Sequence, residues 1–219
     1  MGGRRRAGEG RSPGSDADAA HDPLGRLHDR RVVVLVEGVS DQIALEALAR
    51  RLDADLHATA VMPTGGVHGL GAMIRAVRAR SASIALLGLY DAAEAHVVRR
   101  ALLAEGMTGP DDSLEHAGFV ACTADLEDEL IRACGSHLVQ ACLAAHGDLA
   151  AFRRLQGQPE WRGRPVEAQL RRWIGSGARR KLRYAQILVE AAPRERVPRP
   201  LAAIIDRAAR LQTEAAREE

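Results

Sequence analysis

Five consecutive aliphatic residues, VVVLV at 32–36, stop on Glu37 and give way to SDQIALEALARRL after a single Gly-Val. A β-branched run of this length fills a strand buried on both faces. The stretch after it sets Ile43, Ala44, Ala47, Leu48 and Leu52 on one helical stripe, with Ser40 or Asp41 as its cap. The alternation then recurs. LHATAVM (56–62) reads as a strand, PTGG as a turn and LGAMIRAVRAR (70–80) as a helix. IALLGLYD (84–91) is followed by the helical AEAHVVRRALLAEG, stopped by Gly106, and GFVACT (118–123) by DLEDELIRACG, capped by Asp125 and ended by Gly135. Strands and helices alternating at this spacing predict an α/β fold, a small parallel sheet of four strands covered by helices.

Past residue 136 the periodicity is helical through HLVQACLAAHG, LAAFRRLQ, VEAQLRRWIGSG, ARRKLRYAQILVEAA and PRPLAAIIDRAARLQ. QPEWRGRP reads as a loop and PRERVPRP as a stiff break, because proline fixes φ and lacks a donor. The expected organisation is a disordered leader over 1–29, an α/β domain over 30–135, a helical extension over 136–212 packed on it, and a disordered tail over 213–219.

Composition narrows the function classes. Aromatics are only 3% of residues, so the core must be aliphatic. The first residues mix Gly, Ser, Pro, Asp and Arg without the apolar stretch of a secretion signal. No run approaches the ~20 apolar residues of a membrane-spanning helix, so no membrane partner is expected. Cys122, Cys134 and Cys142 are odd in number and lack metal-ligand spacing, which argues against a disulfide framework or structural zinc and for a reducing cytoplasm. The formal charge of +2 conceals an asymmetry: residues 31–150 hold 9 Lys+Arg against 16 Asp+Glu (−7), and residues 151–219 hold 16 against 8 (+8). An acidic half that can hold cations beside a basic half that can meet a polyanion is one reading; ordinary solvation of Arg-rich helices is the other.

Ligands of parallel α/β sheets sit beyond the carboxyl ends of the strands, and here three of those ends carry acids. Glu37 and Asp41 follow the first strand, Asp91 the third, and Asp125, Glu127, Asp128 and Glu129 the fourth. Two carboxylates ~4 Å apart repel by roughly 4 kcal/mol at an effective dielectric of about 20, so such a cluster calls for protons, basic partners or a hard cation such as Mg²⁺ or Mn²⁺. Asp41 and Asp125 equally suit helix caps, and Glu127 to Glu129 suit a first helical turn. Glu37 and Asp91 have no such local explanation, since each ends an apolar strand.

LVEGVSD at 35–41, followed by LLGLYDAAE at 86–94, resembles the TOPRIM domain of type IA topoisomerases, primases and nucleases of the OLD (overcoming lysogenization defect) family. ADLEDELIRACG at 124–135 and GARRKLRYAQILVEA at 177–191 are more similar to the OLD type, and the resemblance spans roughly residues 31–205. It implies a compact Rossmann-like TOPRIM sheet and metal-dependent phosphodiester hydrolysis, with DNA as the substrate and RNA as the alternative. By position it implies that Glu37 binds metal or exchanges a proton with the leaving oxygen, that Asp41, Asp91 and Glu127 serve the metal, and that Lys181 neutralises charge on the attacked phosphate. Gly38 is expected to permit the tight turn behind Glu37. The family's Asp-x-Asp after the third strand is here Asp91-Ala92-Ala93-Glu94, so Glu94 reaches the same ion only if the turn bends, and the number of metals stays open.

PTGGVHGLG lacks the GK[ST] of a P-loop, and no Walker motif occurs, so an ATPase is expected only as a separate partner. The eight histidines show no zinc-site spacing, and Ser40 lacks a nucleophile-elbow context. Arg171, Arg172, Arg179 and Arg180 are expected to hold the phosphate backbone. Trp161 and Trp173 suit packing between helices better than stacking on bases. The leading expectation is an OLD-like TOPRIM endonuclease using Mg²⁺ or Mn²⁺. The alternatives are a non-catalytic binding module, or a TOPRIM subunit acting with an ATPase in trans; a homodimer is compatible with each.

Overall fold

A computed structural model describes residues 25–217. The strands are Val32–Val36 (β1), Thr59–Pro63 (β2), Ala85–Asp91 (β3) and Phe119–Cys122 (β4), all parallel and ordered β2-β1-β3-β4. Helices Val39–Arg51 (α1), Leu70–Arg80 (α2) and Ala95–Ala104 (α3) connect them, because parallel neighbours need long crossovers. After β4 come Leu126–Cys134 (α4), Ser136–Ala145 (α5), Leu149–Gln156 (α6), Val166–Gly175 (α7), Ala178–Ala191 (α8) and Arg199–Ala215 (α9).

β1 lies inside the sheet and all five of its residues are buried, as its unbroken apolar run requires. Successive side chains serve opposite faces. Val33 and Leu35 join Met62, Leu86 and Phe119 in a core closed by Ile74, Val77, Val98 and Leu102 of α2 and α3. Val32, Val34 and Val36 join Leu87, Leu89 and Cys122 under α1 and the later helices. That second core does not stop at residue 135. α9 packs across all four strands, α8 against α1 and α4, and one continuous cluster reaches from Val32 to Ala208. The expected division at 135 marks a change of periodicity, while the packing crosses it.

The expected ends need correction. Residues 1–24 of the leader lie outside the described residues, but Gly25–Leu27 forms a 3-10 turn and buries Leu27 beside α2 and α3. At the other end α9 runs to Ala215, past the expected tail start at 213; residues 218–219 lie outside the described part. Gln212 explains the continuation: it is buried, accepts from Thr59 Oγ1 at 3.1 Å and donates to the Asp55 carbonyl, tying α9 to the start of β2. β2 begins at Thr59 and not at 56, because Asp55 and His57 close a turn there.

Gly88 of β3 pairs with Phe119 of β4, and a methyl group at Gly88 would overlap the Phe119 ring. Gly88→Ala is therefore expected to destabilise the fold by about 2 kcal/mol through overpacking. Urea unfolding would show this as a lower midpoint with an unchanged m-value.

Candidate active site

The strand order places β2 on one side of β1 and β3 on the other, so the chain reverses direction across the sheet between β1 and β3. Such a switch point opens a crevice at the strand carboxyl ends, and Glu37 and Asp91 stand on its two banks. A cleft of about 330 Å³ lies there, lined by Glu37, Asp41, Asp91, Asp125 and Lys181 together with Gly65 and Gly66. The glycine turn forms one wall. Thr64 N–H donates to the Val36 carbonyl at 2.8 Å and Gly66 N–H to the Glu37 carbonyl at 3.0 Å, with Gly66 at φ 107°, where a side chain would be strained.

Asp41 is buried and caps α1 by accepting Gly38 N–H at 2.9 Å, so it is both cap and cleft wall. Gly38 itself is extended (φ −139°, ψ 174°), a conformation open to any residue, and the expected need for glycine there does not hold. Asp125 caps α4 through Asp128 N–H at 2.8 Å and turns its other oxygen to Arg171 Nε at 2.7 Å. Glu127 is buried beneath the cleft and pairs with Lys181 Nζ at 3.3 Å. Asp128 and Glu129 serve the fold: both pair with Arg132, and Glu129 also accepts Thr123 N–H at 2.8 Å.

Glu94 goes elsewhere. Residues Ala92–Glu94 wind into a 3-10 turn that brings the Glu94 carboxyl beside that of Glu37. Its Oε2 is buried without a hydrogen-bond partner, and the residue lines a small apolar cavity with Leu35, Tyr90, Val98 and Phe119 on the α2 and α3 side. It therefore backs Glu37 and does not line the cleft with Asp91.

The electrostatics are those of crowded acids. Burial, then repulsion from Glu37, Asp125 and Asp41, pushes the Asp91 carboxyl up to about 7. Burial and then Glu94 raise Glu37; burial raises Asp41 against the opposing Gly38 N–H and Lys181. Burial also raises Glu127, with Lys181 opposing. For Lys181 burial acts downward, but Glu127, Asp41 and Asp125 outweigh it and hold the ammonium above its ordinary range.

Four carboxylates thus line a cleft in which Lys181 is the basic lining residue, and Arg171 holds only Asp125. Among the described residues no three His, Cys, Asp or Glu side chains are gathered as a ready metal cage. The donors nonetheless fit a hard cation that keeps part of its water shell, as Mg²⁺ does with one or two carboxylates. The observation in favour is the crowding of Glu37, Asp41 and Asp91 in one cleft with Lys181 as its basic lining residue.

The arginines expected to meet nucleic acid separate into two kinds. Arg172 and Arg179 are exposed. Arg171 is committed to Asp125, and Arg180 stacks 4.2 Å over Trp173 while donating to its carbonyl at 2.7 Å, fastening α7 to α8. Trp173 is buried against Phe152 and Tyr184, as a packing residue would be. The three cysteines are free, and among the described residues no helix is long and apolar enough to cross a membrane.

A four-stranded parallel sheet with a glutamate closing β1, an aspartate closing β3 and acids after β4 is the arrangement that the TOPRIM resemblance implies. The family described as overcoming lysogenization defect protein-like, TOPRIM domain, matches residues 30–92, the segment that carries Glu37, Asp41 and Asp91. Over that segment the chain is similar to the TOPRIM domain of OLD-like proteins. The C-terminal region of the Xanthomonas campestris pv. campestris OLD protein shares the fold, with a TM-score of 0.65 and 19% identity over 87% of this chain and 98% of that one. The C-terminal region of the Burkholderia pseudomallei OLD protein gives 0.58 and 19% over 82% and 96%. No curated protein matches the chain.

Proposed function

We propose that this protein hydrolyses phosphodiester bonds in nucleic acid, DNA in the first place, with Mg²⁺ or Mn²⁺ as cofactor. The observation that carries the reading is the convergence of Glu37, Asp41, Asp91 and Asp125 on one cleft with Lys181 at the sheet's switch point. Asp91, with Asp41 and Asp125 beside it, would hold the cation through oxygen donors and intervening water. A divalent cation there supplies Lewis-acid stabilisation of the phosphoryl and leaving oxygens. Lys181 would neutralise charge developing on the attacked phosphate. Glu37, its carboxyl raised by burial and backed by Glu94, would hold the proton that passes to the leaving oxygen. Exposed Arg172 and Arg179 would meet the flanking backbone. The three free thiols suit the cytoplasm, and an ATPase acting in trans is the partner proposed.

The test is incubation of supercoiled plasmid with the purified protein and Mn²⁺, with EDTA as control. Nicking is expected, and Glu37→Ala should slow it at least about 10²-fold, the usual reach of a general acid–base group. Absence of nicking, or nicking indifferent to Glu37→Ala, would sink the nuclease reading. The second reading, a non-catalytic binding module, is favoured by one observation: Glu94 is turned onto Glu37 and away from the cleft. It requires salt-sensitive DNA binding unaffected by divalent metal.

A further inference from the structure

A second concavity, of about 460 Å³, lies at the amino end of α8, lined by Asp148, Gly177, Ala178, Arg179, Arg180 and Arg183. Three guanidiniums there face one carboxylate. Asp148 accepts from Arg183 at 3.1 Å and from the Tyr184 hydroxyl at 2.8 Å, and Arg183 also reaches the His146 carbonyl. Arg180 is fixed over Trp173. Arg179 is exposed and has no ion-pair partner among the described residues. The pocket is therefore positive, and two of its forks are already oriented, which reduces the entropy lost on binding an oxyanion. Planar guanidiniums clustered in this way match the oxygens of a phosphate group.

The pocket's position relates it to the cleft. At about 100° per residue, Arg179 and Arg183 share one side of α8, and Lys181 points from the opposite side into the cleft. A helix is roughly 10 Å across with its side chains, and a nucleic-acid strand advances ~3.4 Å per nucleotide. A strand with one phosphate beside Lys181 that crosses the end of α8 comes down two to three nucleotides further along.

We infer that the Arg179–Arg183 pocket binds a second backbone phosphate of the same strand, two to three nucleotides from the one attacked. The inference rests on the nuclease reading only for the phosphate placed beside Lys181. It implies a length threshold: a dinucleotide occupies the cleft alone, whereas a longer strand engages both.

Fluorescence anisotropy in EDTA, with labelled single strands of two and about a dozen nucleotides, tests the pocket without cleavage. Arg179→Ala with Arg183→Gln is expected to weaken the longer strand by about tenfold and to reduce the salt slope by about 0.7, the share of one phosphate on a single strand. The dinucleotide should be unaffected. Arg100→Ala with Arg210→Ala, exposed residues on α3 and α9, removes the same charge and should change binding less than about twofold. Equal losses in the two double variants, or in the two lengths, overturn the pocket. Inorganic phosphate bound by the wild type and lost in the pocket variant, with the longer strand unaffected, identifies a free-phosphate site and also overturns it. Arg179→Ala alone, which touches no internal contact, decides the matter if the double variant unfolds. A wild type that never nicks plasmid defeats the nuclease reading without altering these affinities; nicking with unchanged affinities defeats the pocket alone.

Discussion

Asp91→Asn is expected to lose about 10³-fold of Mn²⁺-dependent cleavage, roughly 4 kcal/mol of transition-state stabilisation, while making the metal-free protein more stable at pH 8. Both effects follow from one placement. Asp91 ends β3 facing Glu37, Asp41 and Asp125, and its carboxyl is pushed up to about 7 from an ordinary 3.8, first by burial and then by those neighbours. Between pH ~4 and ~7 the folded protein binds a proton at Asp91 that the unfolded chain does not, so stability falls as pH rises through that window. Complete conversion of such a shift would overstate the loss, because the group is partly solvated; ~1–2 kcal/mol at pH 8 is reasonable. Asparagine removes that penalty and should raise Tm by roughly 2–6 °C in EDTA. Mn²⁺ is expected to reverse the ranking by stabilising the wild type through binding and not the variant. Thermal scans of both proteins at pH 5 and pH 8, with and without Mn²⁺, provide the measurement. A variant that is less stable than wild type in EDTA at pH 8 would mean that Asp91 is held by a structural partner and not by its acidic neighbours.

The sheet was legible because an apolar β-branched run such as VVVLV has few other homes, and Glu37 and Asp91 were legible because a charge at the end of such a run gains nothing from the core. Asp125 was harder to see. Its cap role explains it locally, and nothing in DLEDEL tells that the second carboxylate oxygen meets Arg171, forty-six residues away and three helices later. The signal available was its position at a third strand end. Glu94 shows the opposite failure: its spacing from Asp91 suggested a displaced ligand, but the 3-10 turn at Ala92–Glu94, just ahead of α3, directs it behind Glu37. The same blindness applies to Arg180. In sequence it belongs to a basic run, and only the fold shows its guanidinium spent on Trp173. Local patterns recover elements and the charges that violate them; pairings across the fold depend on tertiary contacts that no window of sequence contains.

Lys181→Met should slow cleavage by about 10²- to 10³-fold, the usual loss when one charge-stabilising donor is removed from a reaction centre. The same substitution strips Glu127 of its partner. Glu127 is 5% exposed and already raised by burial, with Lys181 the main influence keeping it charged. Leaving it unpaired should cost about 1–3 kcal/mol, less than for a fully buried pair because the Lys181 side chain is 40% exposed. A slow variant could therefore be slow because its cleft has shifted. Lys181→Met combined with Glu127→Gln separates the two causes, since the amide needs no counter-charge: stability should return, read by the urea midpoint, and cleavage should not. Recovery of both would show that Lys181 only neutralises Glu127. Lys181→Arg supplies the complementary result, because a guanidinium keeps the charge but spreads it over a planar fork; partial activity with wild-type stability is the expected outcome.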